Sequence, residues 1–140
     1  MDNVNHIEYD TLTLQAKKEH QLLIDDCYNA SPDSMKSSID VLNSYKNRRK
    51  IAILGTMNEL GDESINAHKE VGYYAKDKVD LLIAIGNYKE CYKDGFGLDN
   101  IITFEDKNEF IKNINTIIIY NTNWNCKIIS LYDLIIINTF

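Results

Sequence analysis

The sequence predicts an α/β domain of three layers, a mostly parallel sheet between helices with an antiparallel hairpin at its N-terminal edge. Two observations predict it. Short apolar runs at 21–24, 51–54 and 81–85 alternate with amphipathic segments, the order that lays parallel strands beside one another through crossover helices. A chain of 140 residues with one proline and six glycines also has room for one hydrophobic core and none for a long linker. Residues 1–140 therefore read as a single domain, in which 1–20 and 117–140 fit the pattern least well.

Taken in order, residues 7–14 alternate apolar and polar side chains as a half-exposed strand does, and the polar stretch 17–20 turns the chain into the next strand. The run Gln21-Leu22-Leu23-Ile24 breaks off at Asp25 and Asp26, as a buried strand does where its carboxyl end opens to solvent. Ser31-Pro32-Asp33 is a helix start: a capping hydroxyl, a proline for the first turn, and a carboxylate at the positive end of the dipole. Met35, Ile39 and Leu42 then share one helical face as far as Ser44 or Tyr45, and the basic cluster 46–50 follows. A second strand at 51–54 closes on Gly55, and 56–61 is a loop. Asp62 or Ser64 is placed to cap a helix bearing Ile65, His68, Val71, Gly72 and Ala75. A third strand spans 81–85. A short helix over 88–93, a turn at Gly95-Phe96-Gly97, a strand at 101–104 and a helix at 106–114 complete the pattern. Beyond it, 117–120 reads as a strand, while the apolar run 134–137 has too little period to assign.

Composition narrows the function. Fifteen basic residues against twenty-one acidic ones give a net charge of −6, so the molecule's field repels a polyanion, and nucleic acid is not expected as a partner. A nucleotide remains possible, since it needs only a few local donors and cations. Cys27, Cys91 and Cys126 are odd in number, widely spaced and without metal-ligand companions, which reads as reduced thiols in a cytoplasmic protein. No secretory leader and no membrane span of about 18 apolar residues is legible.

The densest chemistry lies in Asp25-Asp26-Cys27-Tyr28-Asn29-Ala30-Ser31-Pro32-Asp33-Ser34-Met35, a strand end, tight loop and helix start. A carboxylate at such a strand end accepts hydrogen bonds from ribose hydroxyls or holds Mg²⁺ through water, and Asn and Ser add neutral donors and acceptors. The plainer alternative is that the two aspartates solvate the strand end while Ser31 caps the helix. A receiver-like phosphoacceptor site fits poorly, because the strands at 51–54 and 81–85 end in Gly55-Thr56 and Gly86-Asn87, without the required aspartate and lysine.

This run resembles the signature that opens the C-terminal domain of Mur ligases, in the form carried by the branch that adds D-alanyl-D-alanine. About twenty residues on, Ile53-Leu54-Gly55-Thr56-Met57-Asn58-Glu59-Leu60-Gly61, followed by His68 and Val71-Gly72, is similar to the same branch in order and spacing. The resemblance is strongest over 22–86, thins toward 110 and stops there. It implies a Rossmann-like domain of an ATP-dependent peptide ligase of peptidoglycan precursor synthesis, which joins D-alanyl-D-alanine to UDP-N-acetylmuramoyl-tripeptide through an acyl phosphate. It further implies that ATP and Mg²⁺ are held mainly by the N-terminal and central domains of such enzymes. These 140 residues contain no G-x-x-x-x-G-K-[ST] phosphate loop. By the same resemblance Asp26 would meet the ATP ribose, with Asn29 and Ser31 shaping that loop. Thr56, Asn58, Glu59 and Leu60 would line the cleft toward the dipeptide, with His68 behind them; the plainer alternative for His68 is a helix histidine hydrogen-bonded under the loop.

Three departures qualify this. Thr56 stands where the family usually has aspartate, no Lys-Gly-Ser-Arg segment occurs in 117–140, and residues 1–20 contain no arginine. The expectation is thus a ligase fragment inactive alone, with a non-catalytic remnant or nucleotide-binding module as the alternative.

Overall fold

The computed structural model describes residues 22–25, 31–45, 49–115 and 133–138. Among these described residues five strands form one sheet: β1 (Leu22–Asp25), β2 (Arg49–Leu54), β3 (Leu81–Ile85), β4 (Ile101–Phe104) and β5 (Asp133–Asn138). Their order is β1-β5-β2-β3-β4, and every described pair is parallel. The α-helices described beside them are α1 (Pro32–Ser44), α2 (Ser64–Ala75), α3 (Lys89–Phe96) and α4 (Lys107–Asn115). The expected hairpin over 7–20 and strand over 117–120 lie outside the described residues.

The strand order sorts the helices. From β1 through β4 each crossover advances in one direction across the sheet, and a right-handed crossover then keeps α1, α2 and α3 on one face. The core agrees: Met35, Ile39 and Leu42 of α1, Val71 and Ala75 of α2, and Tyr92 and Phe96 of α3 cluster with Ala52, Leu54, Leu82 and Ala84 of the sheet. The return from β4 to β5 runs the other way, which calls for the opposite face. There Phe110 of α4 meets Phe104 edge-on at 5.6 Å, and the alternate strand residues Ile51, Ile53, Leu81 and Ile83 are fully buried. This is the α/β, Rossmann-like arrangement the sequence predicts.

Several boundaries differ from the sequence reading for identifiable reasons. The apolar run 134–137, too aperiodic to assign, is the middle of a strand paired on one edge with β1 and on the other with β2, a place decided by partners far away in sequence. Pairing of Arg49 and Lys50 with Asp133 and Leu134 also starts β2 two residues earlier than expected. Helix α3 runs through Gly95 and Phe96, so the chain turns only at Gly97 (φ 110°). Gly95 is needed inside that helix: an added Cβ would sit 2.0 Å from the Lys69 carbonyl oxygen of α2. At the start of α2 neither Asp62 nor Ser64 caps. A 3₁₀ turn over Gly61–Glu63 leads in without a side-chain cap.

Candidate functional site

The carboxyl ends of β2, β3 and β4 open into one polar crevice of about 350 Å³. Its walls are Thr56 and Asn58 after β2, Gly86 and Asn87 after β3, and Glu105, Asp106 and Lys107 between β4 and α4. Parallel sheets place ligands at this edge, because the loops there are free of the ladder and the helix N-termini face outward. The loops after β2 and β3 touch directly. Gly86 has φ 106°, and a Cβ on it would lie 2.5 Å from Thr56 Oγ1.

On the β4 side the charges are partly committed. Glu105 Oε2 takes the Lys89 ammonium at 2.9 Å, and that hydrogen bond is the main reason the Lys89 pKa is raised. Asp106 Oδ1 accepts the Glu109 N–H at 2.8 Å and so caps α4. The sequence reading took Asp106 as a helix start and missed this side of the crevice. The signal that could have found it is positional: polar residues directly after a core strand.

Beneath the β2 side the loop is tied down at two points. The Tyr92 hydroxyl donates to the Gly55 carbonyl at 2.5 Å and also lies 3.3 Å from Met35 Sδ. Tyr92 thereby joins the start of α1 to the end of β2, the two motifs singled out in the sequence, and its burial pushes its phenol far above the ordinary range. The second tie is His68, fully buried in α2. Its Nε2 accepts the Met57 N–H at 2.9 Å, and its Nδ1 donates to the Ser64 carbonyl at 2.6 Å. Its ring stacks on Tyr88 at 4.2 Å and meets Tyr92 edge-on at 5.1 Å. Burial lowers the His68 pKa, with the Ser64 carbonyl opposing.

The predicted site residues fall in distinct places. Thr56 and Asn58 line the crevice. Glu59 is exposed beside it in the left-handed region at φ 64°, uncommon for a residue with a side chain. Leu60 packs against the core instead, and His68, with both ring nitrogens bonded, sits under the loop rather than in the crevice. Ser31 is the N-cap of α1, its hydroxyl accepting the Ser34 N–H at 3.2 Å while its own N–H donates to Ser34 Oγ at 2.8 Å. Asp26 and Asn29 lie outside the described residues, as do Cys27 and Cys126. Burial, then Asp94 and Glu90, push the Cys91 thiol up, which disfavours its thiolate form. Among the described residues no three His, Cys, Asp or Glu side chains group as a metal site, and no helix is long and apolar enough to cross a membrane.

The family model for the Mur ligase, glutamate ligase domain, matches residues 12–119. The chain belongs to that family. Among characterised relatives, the UDP-N-acetylmuramoyl-tripeptide–D-alanyl-D-alanine ligase of Haemophilus influenzae is 35% identical over 111 residues, which are 79% of this chain and 23% of the relative. The ligase of the same name from Escherichia coli is 34% identical over 101 residues, 71% of this chain and 22% of that protein. This Mur ligase domain thus spans about a quarter of the length of the relatives it matches. The fold agrees as well. A MurF crystal structure from Acinetobacter baumannii superposes with a TM-score of 0.65 at 26% identity, covering 85% of this chain and 25% of that one. MurF ligase from Thermotoga maritima, solved in complex with ADP, superposes at 0.64 and 24% identity, covering 86% and 25%.

Proposed function

We propose that this domain is the C-terminal part of an ATP-dependent peptide ligase that joins D-alanyl-D-alanine to UDP-N-acetylmuramoyl-tripeptide in the cytoplasm. In this reading the domain orients substrates, and the phosphates of ATP and their Mg²⁺ are gripped by polypeptide outside these 140 residues, which carry no phosphate loop. The observation that carries the reading is that the family-like run 55–61 supplies one wall of the polar crevice at the carboxyl edge of the sheet.

The division of labour follows from the residues. Asp26, Asn29 and Ser31, after β1, meet the ribose side of the nucleotide. Thr56 and Asn58, with Glu59 beside them, face the incoming dipeptide from the end of β2, and Lys107 across the crevice offers a cation to its carboxylate. When ATP is bound it supplies the phosphoryl group that activates the acceptor carboxylate. This chain's part is to hold the amine near that carboxylate and to exclude water, and holding two reactants in place is worth up to about 7–11 kcal/mol of barrier. The fit to the nucleotide is one of donor chemistry: hydroxyl, amide and carboxylate groups suit a ribose, and none of them could replace a triphosphate cradle.

A second reading, a nucleotide-binding module without ligase activity, is favoured by Thr56, an uncharged hydroxyl where the family pattern has a carboxylate. One experiment separates the two. The chain is mixed with a polypeptide carrying the other two ligase domains, and phosphate release is followed. Release that needs both ATP and D-alanyl-D-alanine supports the ligase. No release, while an intact control ligase turns over, supports the module.

A further inference from the structure

We propose that His68, with its proton on Nδ1, is the positioning residue that sets the 57–61 turn beside the crevice, and that a second proton on the ring releases the turn. A backbone N–H only donates, so the 2.9 Å contact from Met57 requires Nε2 to be bare and leaves the proton on Nδ1, aimed at the Ser64 carbonyl. Met57 is 1% exposed and His68 is fully buried, so water cannot take over as acceptor.

The consequence for the turn follows from where its anchors lie. The Gly55 carbonyl is held by Tyr92 and the Met57 N–H by His68, two fixed points separated by one residue. Just beyond them the chain becomes exposed at Asn58 and Glu59 and takes positive φ at Glu59 and Gly61. That conformation costs free energy at Glu59 and persists only where the surroundings hold it. Tyr88 and Tyr92 clamp the ring, so it cannot swing to another acceptor.

A doubly protonated ring presents N–H to N–H at Met57, and the contact fails. Among the described residues the titratable groups packed on His68 are the phenols of Tyr88 and Tyr92, and no carboxylate or ammonium group there shifts it. Burial favours the neutral ring, so the folded pKa lies below the ordinary 6.5 and the unfolded chain binds the proton more readily. The stabilisation is therefore complete above about pH 6.5 and is lost as the pH falls from there through the folded value.

The substrate half of this inference rests on the ligase reading, so its test has one arm that does not. On the full chain, long-range proton–nitrogen spectra at neutral pH should show Nε2 unprotonated. Hydrogen exchange at Met57, corrected for intrinsic rates, should speed up on acidification. His68→Phe, which keeps a ring but loses the acceptor, should raise Met57 exchange roughly tenfold or more. His68→Gln, which keeps an acceptor without a titrating ring, should preserve protection and abolish its pH dependence. A proton found on Nε2, or Met57 protection unchanged by pH, overturns the proposal even if the Phe variant fails to fold. In the assembled ligase, His68→Phe should raise KM for D-alanyl-D-alanine about tenfold or more with little change in kcat, and His68→Gln should flatten the acid limb. A uniform loss of kcat would contradict the positioning role. Absence of ligation in the unmodified assembly would instead count against the ligase reading, leaving His68 to be decided by the spectra.

Discussion

Below the crevice, α2 and α3 meet backbone to backbone: Gly95 faces the Lys69 carbonyl and the Tyr73 N–H, and Gly72 faces the Tyr92 carbonyl, with no room for a Cβ at either position. At the rim of the same edge, Asn58 and Glu59 are exposed, and Thr56 and Lys107 are half-buried around an open crevice. Two buried polar contacts tie the regions together, Tyr92 to Gly55 and His68 to Met57. The difference teaches where precision comes from in this domain. A close-packed support fixes two backbone groups, and the exposed side chains inherit their places from it. Substitutions in the support should cost folding, and substitutions at the rim should cost function alone.

The largest effect that would test this contrast is at the helix contact. Gly95→Ala places a methyl 2.0 Å from one backbone oxygen and 2.6 Å from the Tyr73 nitrogen, so α2 and α3 must part. Denaturant unfolding should show a loss of ~3 kcal/mol or more, at or above the range for overpacking. An unchanged midpoint would mean that the helices are not in such close contact. A smaller loss is expected from Tyr92→Phe, which keeps the ring but strips the Gly55 carbonyl of its donor. Unfolding should report about 1–3 kcal/mol, the cost of leaving a buried acceptor unpaired. A loss near zero would show that the tie between the two motifs is dispensable.

Much of the support was legible in the sequence, and less of the rim. The apolar runs at 51–54 and 81–85 gave their strands because both faces are buried, and Ser31-Pro32 gave the start of α1, where the expected cap is present. The place of β5 was not legible. A continuous apolar run has no period to read, and insertion between β1 and β2 is set by contacts distant in sequence. Gly95 misled for a related reason: glycine near a helix end reads as a stop, whereas here it serves the approach of a neighbouring helix. His68 could be read as a helix histidine hydrogen-bonded under the loop, but that its partner is the Met57 N–H depends on how the 56–61 loop folds back over α2. Glu105 and Lys107 drew no attention, since charges between a strand and a helix usually just mark the boundary. Only the shared edge of three parallel strands gives them a site.

The smallest effect on stability should accompany the most telling effect on function. Asn58→Ala combined with Lys107→Ala alters the crevice walls and leaves the helix contact and both buried ties untouched, so the unfolding midpoint should not move. In the phosphate-release assay with the complementary ligase domains, the same double variant should lose at least about tenfold in kcat/KM for D-alanyl-D-alanine. Equal release by the double variant and the unmodified chain, at equal stability, would contradict the assignment of this crevice as the place where the domain meets its substrate.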